Sequence, residues 1–303
     1  MQVDLVDTTA EKINAALLEA RRRAGAGAVG VVLTLLVIGD DEVPDVAIDA
    51  ATQTAAEHPS RIIVVIRHRG GGAPRLDAQI QPRGQRGPGE MVCLDLYGEL
   101  ADHAESPVLP LLVPDTPVVA YWPAQVPEVP ARDALGRLAQ RRITDLAPSL
   151  EPINGLVTRA NCYAPGDTDL SWTRVTLWRS MLAAALDQPH AKITGGLVGA
   201  EPDSPSGELL ALWLEARLGV DVRRETSDGP GITEARLETP DGAIALVRRD
   251  GRLATLYSPG WPARPVALKR RDLSELLSEE LRRLDPDDIY AEVLAHASTR
   301  AAG

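Results

Sequence analysis

Apolar residues first recur with a helical period at Ile13, Ala16, Leu17 and Ala20. Thr8-Thr9-Ala10-Glu11 stands just before them and reads as a capping box, with a hydroxyl and a carboxylate each accepting a backbone N–H of the first turn. An unbroken apolar run from Val29 to Ile38 follows, as expected of a strand covered on both faces. Val46 to Glu57 has helical character, and Arg61 to Ile66 is a second apolar run. Helix, strand, helix, strand in succession argues for an α/β layer. Gly70-Gly71-Gly72 then breaks the chain. Leu76, Ala78 and Ile80 alternate with Asp77, Gln79 and Gln81, as in a half-exposed strand. A loop rich in Gly and Pro is expected at 82–89. Met91 to Leu96, Val108 to Val113 and Val118 to Tyr121 read as further short strands, and 131–140 as a helix.

In the second half, 170–186 reads as one helix with Asp169 as its N-cap and Trp172, Val175, Trp178, Leu182 and Ala185 on one stripe. A helix over 207–218 carries Leu209, Leu212, Trp213 and Ala216 on one face. Ser204-Pro205 or Ser206 starts it, and Gly219 suits its end. Asp241-Gly242 and Asp250-Gly251 are hairpin signals around the strands Ala243 to Arg248 and Leu253 to Tyr257. Two acidic helices close the chain. Asp272 with Glu275 caps the first, Leu273, Leu276, Leu277, Leu281 and Leu284 form its stripe, and Asp285-Pro286 separates the two. The fold class is α/β, or α+β taken over the whole chain. An N-terminal α/β domain with a mixed sheet is expected at 1–160, and a C-terminal domain of helices packed on an antiparallel meander at 161–303.

A chain of 303 residues with 44% hydrophobic content can bury a core in each of two domains. It contains no Phe and five Trp, so aliphatic side chains and alanine must fill that core. The net charge of −11 speaks against a nucleic-acid partner. The one basic run, Arg21-Arg22-Arg23, falls at a helix end, where cations suit the dipole. The two cysteines, Cys93 and Cys162, have no metal-ligand spacing; Cys93 is expected inside a strand as a small buried hydrophobe, and Cys162 in a more exposed loop. The acidic amino terminus lacks an apolar signal region, and Val29 to Ile38 is too short to span a bilayer. A cytoplasmic protein with no membrane partner is expected.

Gly25, Gly27 and Gly30 match G-x-G-x-x-G, but after a helix and before a strand, the reverse of what a dinucleotide site needs. No phosphate-loop or nucleophile-elbow pattern exists, and the five histidines form no metal pair. His58-Pro59-Ser60-Arg61 is either a helix stop and strand start, or a polar cluster offering His58, Ser60 and Arg61 together at a sheet edge. Asp167 and Asp169 have the chemistry of an acid/base pair or metal half-site, but a helix-capping role explains both. Arg174 and Arg179 lie about 140° apart on an ideal helix and do not face one small anion from it. Arg141 and Arg142 are adjacent and are further candidates for a partner- or ligand-binding surface. Trp172 and Trp178 belong to the apolar stripe, whereas Trp261, between Gly260 and Pro262, is expected to be exposed. Aromatic and arginine side chains dominate recognition surfaces. The segment 165–179 therefore holds the strongest candidates for binding a partner or ligand: Asp167, Thr168, Asp169, Trp172, Arg174, Trp178 and Arg179.

The segment from Pro165 to Arg174, Pro-Gly-Asp-Thr-Asp-Leu-Ser-Trp-Thr-Arg, and then Leu177-Trp178-Arg179, resembles the signature of the glucose-6-phosphate dehydrogenase assembly protein family, OpcA. His58-Pro-Ser-Arg61, the segment Leu138 to Asp145 and, more loosely, the chain from Leu209 onward resemble further parts of it. The resemblance implies a non-catalytic factor that binds glucose-6-phosphate dehydrogenase, promotes its active oligomer and needs no cofactor. It transfers no catalytic residue. The alternative reading is a sugar-phosphate-binding enzyme or sensor that uses the loop and helix at 165–179.

Overall fold

The computed structural model describes residues 2–24, 30–81 and 90–302, which form two units, each assembled from three stretches of chain. One holds Met1–Asp145, Ala164–Thr168 and Asp272–Pro286; the other holds Leu146–Tyr163, Asp169–Arg271 and Asp287–Gly303. The loop expected at 82–89, and Gly25 and Gly27 of the glycine match, lie outside the described residues.

In the first unit the strands are β1 (Val3–Leu5), β2 (Leu33–Asp40), β3 (Ser60–His68), β4 (Arg75–Gln81), β5 (Glu90–Tyr97), β6 (Val118–Trp122), β7 (Arg141–Thr144) and β8 (Asp167–Asp169). They form one mixed sheet in the order β1-β4-β5-β3-β2-β6-β7-β8. The continuous apolar runs became parallel strands at its centre, since helices cover both faces and leave no polar side. The alternating run at 75–81 became β4, antiparallel to β5, near the edge. Helix α1 (Ala10–Ala24) lays Ile13 and Leu17 into a core with Leu36, Ile38, Ile63, Val65, Leu94 and Trp122. On it, Thr9 rather than Thr8 takes the capping position, because Thr9 Oγ1 accepts the N–H of Lys12 at 3.4 Å; Glu11 is then one place too early to complete a box. Helix α2 (Asp45–Thr54) buries Ala47, Ala50 and Ala51. It packs on the helix Leu273–Arg282, α9 in chain order, whose capping box between Asp272 and Glu275 forms as expected.

Three further expectations fail in this unit, each for a local reason. Val108 to Val113 is not a strand: α3 (Glu99–Asp102), α4 (Glu105–Val108) and a 3-10 turn at Leu109–Leu111 occupy the region. Pro107, Pro110 and Pro114 have no N–H to offer a ladder. The helix expected over 131–140 is two 3-10 turns, Pro130–Arg132 and Gly136–Leu138. Between them Asp133 turns its carboxylate onto the N–H of Leu135 at 2.9 Å and ends the first turn. Cys93 is half-buried, because Val92, Leu94 and Leu96 take the core face of β5 and alternation leaves Cys93 opposite Gln79 on the other face.

The second unit contains α5 (Pro152–Cys162), α6 (Leu170–Arg174), α7 (Thr176–Leu186), α8 (Pro205–Leu218) and α10 (Asp288–Ala302). Its sheet, of β9 (Gly195–Ala200), β10 (Val222–Thr226), β11 (Ile232–Thr239), β12 (Gly242–Val247), β13 (Leu253–Ser258) and β14 (Trp261–Ala267), runs in the order β10-β9-β11-β12-β13-β14. The meander from β11 to β14 is antiparallel, as the two Asp-Gly turns predict, and Trp261 is 60% exposed as expected. The parallel pair β9–β10 was not visible: Gly195, Gly196 and Gly199 weaken the strand signal of a segment that is nonetheless buried throughout. The single helix expected at 170–186 is two, parted at Val175 (φ −92°, ψ 0°). Helix α8 starts on Ser204, whose hydroxyl accepts the N–H of Gly207, and stops on left-handed Gly219. Its expected one-sided stripe is wrong: Leu210, Ala211 and Leu214 are buried along with Leu209 and Leu212, while Ala216 is exposed. A helix apolar nearly all round is an interior helix. Cys162 ends α5, half-buried, instead of lying in a loop, and forms no disulfide.

Candidate functional site

Of the twelve residues singled out in the sequence, nine are buried, and only His58, Arg174 and Arg179 are half-buried. In the first unit they are absorbed into ion pairs and backbone contacts. Gly166 has a left-handed φ of 95°, and a Cβ there would overlap the carbonyl of Gln140. The turn it permits, Pro165 to Asp167, wraps the guanidinium of Arg142 on β7. Arg142 pairs with the Asp167 carboxylate and donates to the carbonyls of Pro165 and, at 3.0 Å, Ala139. Its own N–H reaches the Gly166 carbonyl at 2.9 Å, and the second oxygen of Asp167 accepts the N–H of Ala164 at 3.0 Å. The Thr168 carbonyl accepts the hydroxyl of Thr144 at 3.1 Å.

Arg141, one residue earlier on β7, points the other way, as strand alternation requires. It pairs with Glu280 of α9 and donates to the Asp285 carbonyl at 3.0 Å. His58 also reaches α9, with Nε2 at 3.1 Å from the Ser278 carbonyl. Ser60 and Arg61 do not join it. Ser60 is fully buried, and Arg61 turns to Glu90 at 2.9 Å and to the Leu111 carbonyl. The polar cluster considered for His58, Ser60 and Arg61 is therefore not assembled; they serve as a helix stop and a strand start.

In the second unit Asp169 caps α6: one carboxylate oxygen accepts the Ser171 N–H at 2.8 Å and the other accepts that of Leu146 at 3.1 Å. Trp172 is the hub of an aromatic cluster. Its Nε1 donates to Asp287 at 2.7 Å, its ring lies 5.5 Å from that of Tyr290, and Arg179 stands over it at 3.6 Å. Arg271 donates to the Thr173 carbonyl. Trp178, two percent exposed, lies against Arg248 at 5.0 Å, so the stripe residues are core as expected. Arg248 donates to the carbonyls of Ile232 and Leu268, each at 3.0 Å. Burial first, then the charge of Arg270, push its pKa down to about 10, while Asp250 acts in the opposite sense.

The partners Glu90, Glu280, Asp287, Tyr290 and Arg271 were invisible in the sequence, lying far from the residues they hold. Asp287 follows a proline by one position and reads locally as a helix start, a role it also fills by accepting the Tyr290 N–H at 3.0 Å. Among the described residues no three His, Cys, Asp or Glu side chains gather into a metal-ligand group, and no helix is long and apolar enough to cross a membrane.

The fold and these clusters define an α/β protein of two units in which most of the marked polar residues are engaged in ion pairs, ring contacts and hydrogen bonds to backbone. The profile of the glucose-6-phosphate dehydrogenase subunit N-terminal domain matches residues 51–161, and that of its C-terminal domain matches 165–294. The chain belongs to this glucose-6-phosphate dehydrogenase subunit family, OpcA. Sequence comparison with individual curated proteins gives no match. Among solved structures, the chain is similar to KijD10, a 3-ketoreductase from Actinomadura kijaniata in complex with NADP and TDP-benzene, with 11% identity, coverage of 89% of this chain and 96% of that one, and a TM-score of 0.50. An NAD binding oxidoreductase from Klebsiella pneumoniae is 7% identical over 90% of this chain and 98% of its own, with a TM-score of 0.43. At 11% identity the likeness to the ketoreductase is one of fold.

Proposed function

We propose that this chain is a regulatory subunit that catalyses nothing itself, binds glucose-6-phosphate dehydrogenase in the cytoplasm and favours the enzyme's active oligomer at the start of the oxidative pentose phosphate pathway. The observation that carries this reading is the family match over 51–161 and 165–294. A second supports it. A sugar-phosphate site needs cations or N–H groups turned toward its ligand. Arg61, Arg141 and Arg142 are instead buried against Glu90, Glu280 and Asp167.

A bound subunit shifts an oligomer equilibrium only by preferring one of its states. The test is to mix purified subunit and dehydrogenase, follow them by size-exclusion chromatography with light scattering, and titrate activity against glucose-6-phosphate. Co-elution, a larger dehydrogenase species and a raised activity are expected. Separate elution with unchanged kinetics, or turnover of a sugar phosphate by the isolated chain, overturns the proposal.

A further inference from the structure

Five parallel strands of the first sheet run in the order β5-β3-β2-β6-β7, which is third, second, first, fourth, fifth along the chain. This is the strand order of doubly wound dinucleotide-binding sheets, in which the ligand lies outside the carboxyl ends of the strands where the order reverses. Here that point falls between β2 and β6. A pyrophosphate there needs glycines in the first strand-to-helix turn, so that backbone can approach it, and N–H groups left unused at the helix start.

The turn after β2 lacks those glycines. It reads Gly39-Asp40-Asp41-Glu42-Val43-Pro44, and Asp45 opens α2. One glycine stands among carboxylates that repel a phosphate. Gly39 serves the turn itself, since a Cβ there would overlap the carbonyl of Glu42. Two N–H groups of the turn itself are also given away: Asp41 donates to the Arg67 carbonyl at 3.0 Å and Glu42 to that of Asp40 at 2.8 Å.

The crevice is also filled. Arg67, near the end of β3 and 3% exposed, places Nε 2.6 Å from Asp40 at the end of β2 and Nη1 2.7 Å from Asp133. Asp133 lies in the connection that leaves β6. The guanidinium thus spans the strand ends on both sides of the reversal. At the end of β3, where such sheets hold the ribose or its phosphate, His68 faces Asp95 at 2.8 Å and Arg69 faces Asp40 at 3.5 Å.

We propose that Arg67 is the permanent occupant of this crevice. A sheet of the nucleotide-binding type is latched shut by the protein's own arginine between Asp40 and Asp133, and the chain takes up neither NAD(H) nor NADP(H). The inference goes beyond the proposed partnership and does not depend on it, so it is tested on the isolated chain.

Thermal shift with NAD+, NADH, NADP+ and NADPH up to millimolar concentration, together with NADPH fluorescence, gives no saturable response. A saturable response to any of the four overturns the proposal. The latch has its own readout in hydrogen–deuterium exchange. Asp133→Asn, a mild change that keeps a side-chain oxygen for Leu135, raises amide exchange over residues 39–44 by about tenfold, as expected when a charge-assisted contact that closes a turn is weakened. Unchanged exchange in the folded variant shows that Arg67 does not hold the turn and overturns the latch.

Discussion

The guanidinium of Arg179 stands 3.6 Å from the centre of the Trp172 ring, across the break at Val175 that separates α6 from α7. Family-signature residues that look like a recognition surface here grip each other, with Asp287 and Tyr290 completing the cluster. Trp172→Ala is expected to cost about 3–5 kcal/mol, the range for removing a buried tryptophan. Arg179→Ala should cost about 0.5–2 kcal/mol, the worth of a cation over a ring. Urea unfolding of both variants checks the ranking; equal losses would mean that Arg179 does more than cover the ring.

A similar logic applies to Arg142 and Asp167. Both are buried, so removing one partner leaves a charge without its counter-charge. Asp167→Ala should destabilise by about 3–5 kcal/mol. A double-mutant cycle with Arg142→Ala should return a coupling of about 0.5–3 kcal/mol. Additive losses would show that the two side chains act independently.

Two glycines with positive φ separate backbone strain from crowding. Gly166→Ala meets both a φ of 95° and the Gln140 carbonyl, whereas Gly260→Ala meets a φ of 76° with no heavy atom within 4 Å. The backbone term is about 1–3 kcal/mol at either site. Gly166→Ala should therefore lose clearly more stability than Gly260→Ala by chemical denaturation, and the reverse order would contradict the packing around Arg142.

Asp250, in the turn between β12 and β13, accepts the N–H groups of Arg252 and Leu253, which hold its pKa below the ordinary aspartate value. A carboxyl with a depressed folded-state pKa adds stability that is fully present above its unfolded pKa and fades as pH falls through the folded one. The stability gap between the parent chain and Asp250→Ala should be constant near neutral pH and narrow below the usual aspartate range. A gap independent of pH would show that the charge of Asp250 contributes nothing.

Much of the first unit was legible. Long apolar runs flanked by helical patterns leave one economical arrangement, a parallel sheet covered on both faces. Where local chemistry is self-contained, as in the capping box of Asp272 and Glu275, the Asp169 cap or the Asp-Gly hairpins, reading and structure agree. The misreadings share a cause. Prolines at 107, 110 and 114 removed ladder donors from an apolar run, glycines at 195, 196 and 199 hid a buried strand, and interior burial erased the one-sidedness of α8.

By itself the sequence determined where chain segments turn, cap and bury, because those choices depend on neighbours within about one helical turn. It also marked 165–179 as unusual. What that segment does was decided only by tertiary structure. Arg142 meets Asp167, Trp172 meets Asp287, Arg141 meets Glu280 and Arg67 meets Asp133 across separations of 25, 115, 139 and 66 residues. A carboxylate's role as ligand holder or as counter-charge depends on which cation folding brings beside it, and no local pattern records that.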